Sequence, residues 1–198
     1  DSLWFYDRPF TEAAVLAWPS VERLATAFAS AGHDLHLVGG PVRDALMGRA
    51  GHDLDFTTDA RPDAIEAVLR GLTRATWDIG RDFGTIGARF VEDDGREVVV
   101  EVTTYRADSY DPASRKPTVE FGDTLDADLG RRDFAINAMA LSVVTGAFSD
   151  PHGGLDDLAA RVIRTPSAPE VSFTDDPLRM MRAARFVSQL GFVPDPGV

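Results

Sequence analysis

The chain has 198 residues, no cysteine and a formal net charge of −12, so it is neither a disulfide framework, nor a thiolate zinc protein, nor a basic coat for nucleic acid. Hydrophobic residues make up 44% and charged residues 26%, the balance of an ordinary globular protein, which excludes disordered and fibrous classes. No apolar run reaches the ~20 residues of a membrane span, and residues 1–30 show no basic start followed by an apolar stretch.

Residues 12–31 read as helical, with Val15, Leu16, Val21, Leu24, Ala25 and Phe28 apolar; Pro19-Ser20 restarts the helix and Gly32 ends it. A short strand over 35–38 leads into Gly39-Gly40, and Pro41 opens a short helix that runs to Met47. Residues 53–57 alternate as a strand. A helix over Pro62–Arg70 stops at Gly71. Strands follow near 73–79, 84–91 and 97–105, the last two joined by the hairpin signal Asp93-Asp94-Gly95. Residues 107–130 are polar and rich in turn formers, longer than most structureless connections, which marks them as functional or mobile. A helix is expected over 131–141 and strands at 147–149 and 161–164. A long helix is expected over Asp176–Leu190, capped by Thr174, with Pro177 in its first turn and Gly191 at its end. Pro166 and Pro169 mark a boundary near 165–173. The last helix is apolar on one side through Leu178, Met181, Phe186 and Leu190, so it needs a surface to pack on.

Five features carry candidate chemistry. Gly39-Gly40-Pro41-Val42-Arg43-Asp44 lies between a strand and a helix; paired glycines and a helix start suit an anion, with Arg43 adding a charged contact, though a tight turn has the same letters. Asp53 and Asp55, at i and i+2 on a strand, share a face about 6.5 Å apart, where they can hold hard cations or simply face water. Glu101 interrupts the apolar run Val98-Val-Val-Glu-Val; it is either an exposed edge position or a third acid facing the same cations. In Arg131-Arg132-Asp133-Phe134-Ala135-Ile136-Asn137, a helix would put Asp133 and Asn137 on one face, able to hydrogen-bond a ribose with an arginine near phosphates, or would merely set Asp133 at a helix start. Asp176 and Arg179 are i, i+3 neighbours that could imitate a base edge, continued by Arg182 and Arg185, or form a surface ion pair. Nineteen of the twenty basic residues are arginine, Lys116 being the exception, which fits planar contacts to phosphates and bases and equally fits genomic bias.

In this order the segments Gly39 to Asp44, His52 to Phe56, Gly80 to Thr85, Glu101 to Tyr105, Arg131 to Ala138 and Asp175 to Phe186 resemble the class II tRNA nucleotidyltransferases, the CCA-adding enzymes, and the related bacterial poly(A) polymerases. The resemblance implies an α+β fold, a small mixed β-sheet with flanking helices of the polymerase-β-like nucleotidyltransferase head, followed by the start of a helical neck. It implies an N-terminal helical segment over 1–34, a catalytic head over 35–165 and a neck over 166–198. It implies transfer of CMP and AMP from CTP and ATP to the 3′ end of tRNA with release of pyrophosphate, in the cytoplasm and without a membrane partner. Asp53 and Asp55 would bind two Mg2+ ions, and Glu101 would orient or deprotonate the attacking hydroxyl. Gly39, Gly40, Arg43 and Arg132 would hold the triphosphate, Asp133 and Asn137 would lie near the ribose, and Asp176 and Arg179 would pair with the incoming base. The loop with Arg115 and Lys116 looks like the element linked to switching from C to A.

The family has Glu-Asp where this chain has Asp175-Asp176, retaining the second acid. Its members continue through body and tail helices that hold tRNA, so these 198 residues alone are expected to bind nucleotide and magnesium but to extend tRNA poorly. Alternatives are a poly(A) polymerase, a CC- or A-adding specialist, and a non-catalytic nucleotide- or RNA-binding module; a Rossmann cofactor domain lacks its G-x-G-x-x-G spacing here. His33, His36, His52 and His152 are expected to be structural, and Trp4, Trp18 and Trp77 to be packing residues.

Overall fold

Alternating burial sorts the strands into one sheet with two unlike faces. The computed structural model describes residues 18–49, 51–107 and 120–198. The Arg115 and Lys116 loop positions, Trp4 and the expected helical residues 12–17 lie outside the described residues.

Seven strands form a mixed sheet in the order β3-β4-β5-β2-β1-β6-β7. They are β1 (His36–Val38), β2 (Asp53–Thr58), β3 (Thr76–Gly80), β4 (Thr85–Val91), β5 (Glu97–Thr104), β6 (Ala140–Ser142) and β7 (Phe148–Ser149). Only β2 and β5 pair in parallel; the other neighbours are antiparallel. One face buries Leu37, Leu54, Phe56, Ile86, Ala88, Phe90, Val98, Val100 and Val102. Helix α3 (Pro62–Leu72) covers this face with Ile65 and Leu69, and α1 (Pro19–Ser30) packs on α3 through a stripe of Val21, Leu24 and Phe28. The expected α+β architecture is therefore present.

The start of α1 is fixed by an acid from the sheet. Glu92, buried just after β4, accepts from the Ser20 amide at 3.1 Å and from the Ser20 hydroxyl. A carboxylate there satisfies an orphan N–H and faces the positive end of the helix dipole.

The remaining elements gather around the β1–β6 side. They are α2 (Gly40–Leu46), α4 (Leu125–Gly130), a 3₁₀ turn Ala135–Asn137, α5 (Gly154–Ala160), α6 (Pro169–Asp175) and α7 (Leu178–Leu190), with β8 (Val162–Ile163) paired in parallel to β9 (Val193–Pro194). Among the described residues no helix is long and apolar enough to cross a membrane.

Several expectations need correction. Gly71 lies inside α3 rather than ending it. Residues 125–130 of the polar stretch are helical because Thr124 caps α4 by accepting from Ala127 N. Residues 131–141 are not a helix: Phe134 sits at φ 38°, a left-handed conformation that breaks helical hydrogen bonding, and only a 3₁₀ turn follows. The last helix starts at Leu178, two residues later than expected, and Thr174 does not cap it but lies within the separate α6, its hydroxyl donating to the Glu170 carbonyl at 2.6 Å. On α7, Phe186 and Leu190 pack on the core, but Leu178 and Met181 are exposed. Trp18 is buried, whereas Trp77 is 40% exposed. His36 meets the Tyr105 hydroxyl at 3.1 Å, and burial pushes its imidazole below its usual value against the pull of Asp34 and Asp59.

Replacing Glu92 by Ala should strip α1 of its cap and leave Ser20 unsatisfied, costing about 1–2 kcal/mol. Thermal unfolding should show a midpoint lower by roughly 2–8 °C; an unchanged midpoint would refute the capping role.

Candidate active site

The face of the sheet opposite α3 carries the acids. Strand alternation sends Leu54 and Phe56 inward, so Asp53 and Asp55 point out together. In the parallel register of β2 and β5, Asp55 lies beside Glu101 and Asp53 beside Val99. Asp53 and Asp55 are exposed and Glu101 is half-buried. His52 is also exposed, its Nε2 3.8 Å from Asp53. The Asp55 carboxyl is pushed up to about 6, by burial on its sheet side first, then by the negative charge of Glu101, with Arg132 opposing and Asp53 adding to the rise. Its outer side remains open to water. An acid held in this way is short of positive charge, which suits a divalent cation. Among the described residues no three acidic or histidine side chains converge on one point that would hold a cation alone. The three acids form a row whose cation would need further oxygens from water or phosphate, as Mg2+ readily accepts.

Beside this row lies the glycine turn. β1 ends at Val38, Gly39 follows with φ 72° and ψ −140°, a backbone state reserved for glycine, and α2 begins at Gly40. A side chain at Gly39 would stand 3.7 Å from Arg132 Nη1, and one at Gly40 would stand 3.5 Å from Arg43 Nη2. The two arginines thus flank the turn closely enough to line a pocket for anionic oxygens.

Both are held in place by other groups. Arg43 is buried; its Nη1 donates to Asn137 Oδ1 at 2.8 Å, its Nε donates to Asp44 at 2.9 Å, and its guanidinium lies 5.4 Å from the Phe186 ring centre. Asn137 in turn donates to the Asp133 carbonyl at 3.1 Å. Arg132 is gripped by Asp128, receiving Nε at 3.1 Å and Nη2 at 2.7 Å on one oxygen. The other oxygen of Asp128 takes Arg131 Nε at 3.3 Å and Nη2 at 3.2 Å, and the Arg106 amide at 3.1 Å. Burial pushes the Asp128 carboxyl up, but the charges of Arg132 and Arg131 with these hydrogen bonds outweigh it and hold the carboxyl below its usual range.

The start of α7 joins this network. Arg179 donates to Ser172 Oγ at 2.8 Å and to the Arg131 carbonyl at 2.6 Å. Arg182 pairs with Asp133 at 2.5 Å. Phe186 meets Phe134 edge-on, with ring centres 5.7 Å apart. Asp176 accepts from the Leu178 amide at 3.0 Å and so caps α7.

The structure therefore brings Asp53, Asp55 and Glu101 onto one face, and Gly39, Gly40, Arg43, Arg132 and Asn137 beside it. Asp133 joins through its backbone, while its carboxylate turns to Arg182. Asp176 and Arg179 adjoin at the head of α7, each engaged with other partners. Sequence reasoning missed Asp128, the pairing of Arg182 with Asp133 and the Phe134–Phe186 contact; the i+3 and i+4 spacing of Asp128 to Arg131 and Arg132 was the readable signal.

The sequence matches a known family model, the poly A polymerase head domain, over residues 35–164. The chain belongs to the poly A polymerase head-domain family. It is 45% identical over 167 residues to the CCA-adding enzyme of Bacillus subtilis (strain 168), matching 84% of this chain and 40% of that relative. Its fold is similar to the crystal structure of the Bacillus stearothermophilus CCA-adding enzyme in complex with CTP, with a TM-score of 0.74 and 38% identity over 88% of this chain and 40% of that one. It is also similar to a tRNA nucleotidyltransferase complexed with a primer tRNA and an incoming ATP analog, with a TM-score of 0.69 and 33% identity over 88% of this chain and 47% of that one. The chain spans about two fifths of the length of the curated relatives it matches.

Two stability measurements test this electrostatic layout. In metal-free buffer, Asp55→Asn should stabilise the fold by on the order of 1 kcal/mol once screening by water is allowed for. The folded value near 6 exceeds the ordinary value of 3.8, so wild-type stability falls as pH rises from 4 to 6. The variant's advantage should therefore be absent near pH 4 and full above pH 6; a destabilised variant at neutral pH would contradict the crowding of acids. Asp128→Asn should act oppositely, leaving two guanidiniums without their counter-charge and costing about 3 kcal/mol or more. Its deficit should persist from neutral pH to about pH 4 and shrink below that, as the unfolded carboxyl takes up its proton before the folded one does.

Proposed function

We propose that this chain is the nucleotide-transferring head of an enzyme that adds CMP and AMP, from CTP and ATP, to the 3′ end of tRNA without a template. The observation that carries the reading is the Asp55–Glu101 pair on the open sheet face, directly beside a glycine turn flanked by Arg43 and Arg132. The CCA-adding enzymes among its relatives support the choice of substrates. Residues 35–165 form the head, 166–198 begin a neck, and α1, in the segment before the head, packs on it.

In this reading Gly39 and Gly40 allow the triphosphate close to the backbone, while Arg43 and Arg132 neutralise its oxygens. Asp133 and Asn137 border the ribose. Asp176 and Arg179 meet the base, an acceptor and a donor held at the start of α7. Glu101, beside Asp55, orients the attacking 3′-hydroxyl and draws its proton. With two Mg2+ ions held by Asp53 and Asp55, the site gains the charge that activates the hydroxyl and stabilises departing pyrophosphate. The positive groups around the turn stabilise the charge that spreads over the transferring phosphoryl group.

The test is a 3′-end extension assay with the full-length protein, Mg2+ and tRNA lacking its terminal trinucleotide, supplied with CTP and ATP separately and together. Cytidine should be added from CTP alone, and adenosine only after it. Exclusive use of ATP would replace this reading with poly(A) synthesis. Asp53→Ala and Asp55→Ala should each lower the rate at least ~10³-fold, a loss of about 4 kcal/mol of transition-state stabilisation.

A further inference from the structure

Asp55, Glu101, Gly87 and Trp77 form a single row across four strands. Asp55 lies beside Glu101 in β5, Glu101 beside Gly87 in β4, and Gly87 beside Trp77 in β3. Directly paired residues point to the same side of a sheet, so all four share the open face. Gly87 is the gap in this row. A side chain there would stand 2.6 Å from both Trp77 Cε2 and Nε1 and 2.9 Å from Ile79 Cδ1. The indole therefore leans back over Gly87 toward Glu101. Trp77 remains 40% exposed and Ile79 44% exposed, an unusual state for two large apolar groups on one sheet face. Arg89, two residues beyond Gly87, rises on the same face. It is exposed and holds Glu97 only loosely, at 3.7 Å.

The two flanks of the acid row are unlike. The β1 flank carries the glycine turn, Arg43, Arg132, Asn137 and the head of α7, which the proposed function assigns to the nucleotide. The acceptor must reach the same acids from the other side, across β4 and β3. We infer that the Trp77 indole is the stacking platform for the terminal base of the acceptor RNA, with Arg89 beside it for a phosphate of the same strand. Trp77 stands two strand spacings, about 10 Å, from Glu101. A flat π-face serves any base, as an acceptor whose terminal nucleotide changes with each addition requires. This inference rests on the proposed transfer to RNA and names the part of the site that receives it.

The test uses the full-length protein. Trp77→Ala should raise the KM for tRNA about 5- to 100-fold while KM for CTP and ATP stays within about twofold of wild type. Trp77→Phe, which keeps a stacking face, should restore most of the acceptor affinity. In a binding arm without nucleotide, a short single-stranded RNA ending in a 3′-hydroxyl should quench a component of the tryptophan emission that Trp77→Phe lacks. An active wild type with an unchanged acceptor KM in Trp77→Ala, or equal quenching in wild type and Trp77→Phe, would overturn the inference alone. A wild type that transfers nothing to RNA would instead overturn the proposed function, and the quenching arm would still decide whether RNA stacks on Trp77.

Discussion

The parallel register between β2 and β5 governs everything built on the open face. It places Asp55 beside Glu101, a like-charge pair that opposes folding on the order of 1 kcal/mol. The same register buries Leu54 and Phe56 together with Val98, Val100 and Val102 against α3. Each of those side chains contributes roughly 1.5–3 kcal/mol, so burial outweighs the repulsion several-fold. A slip of one residue would invert both faces, exposing the valines and burying the acids. The core thus forces the carboxylates together, and their crowding is a by-product of packing that a cation can exploit.

The positive side of the site is built by a different device. A chain with net charge −12 has no excess of cations to spread over a surface. It concentrates them through one fully buried acid, Asp128, whose two oxygens hold Arg131 and Arg132 separately. Arg132, fastened along its Nε–Nη2 edge, turns Nη1 toward the glycine turn, where a side chain at Gly39 would meet it at 3.7 Å. Arg43 is held on every nitrogen instead, Nη1 by Asn137 and Nε and Nη2 by Asp44, and is covered by Phe186. Because α7 grips the Arg131 carbonyl through Arg179 and Asp133 through Arg182, its position and that of the arginines are mechanically one.

What the letters revealed and what they hid divide along physical lines. The alternation at 53–57 and 98–104 has a period of two and one buried face, so the acid row was readable without coordinates. The arginine anchorage was not. Asp128 sits in a polar stretch that reads as loop, and its burial comes from tertiary packing with the β1 side of the sheet. The run 131–141 has helical spacing, yet Phe134 is forced to φ 38° with its ring buried against Phe186, a strain of about 1–3 kcal/mol that only surrounding packing can sustain. That turn, and no helix, delivers Asn137 to Arg43. Trp77 was hidden for a related reason: its place depends on the missing side chain of Gly87, one strand away.

The asymmetry of the sheet gives the proposed reaction its direction. On one side of the acid row the chain piles up α2, α4, the 3₁₀ turn and α7, each fastened to the next by buried polar contacts. On the other side the described residues offer bare strands, β5, β4 and β3, whose helices all lie on the opposite face. A rigid, charge-lined flank suits a ligand that must be held in one pose, and a flat flank with an aromatic surface suits one that must move on after each step. Among the described residues the acids adjoin both flanks, so in the proposed reaction the attacking hydroxyl and the phosphoryl group would meet above Asp53, Asp55 and Glu101. In the proposed reaction the two substrates would be kept apart by the simple device of covering half of one sheet face.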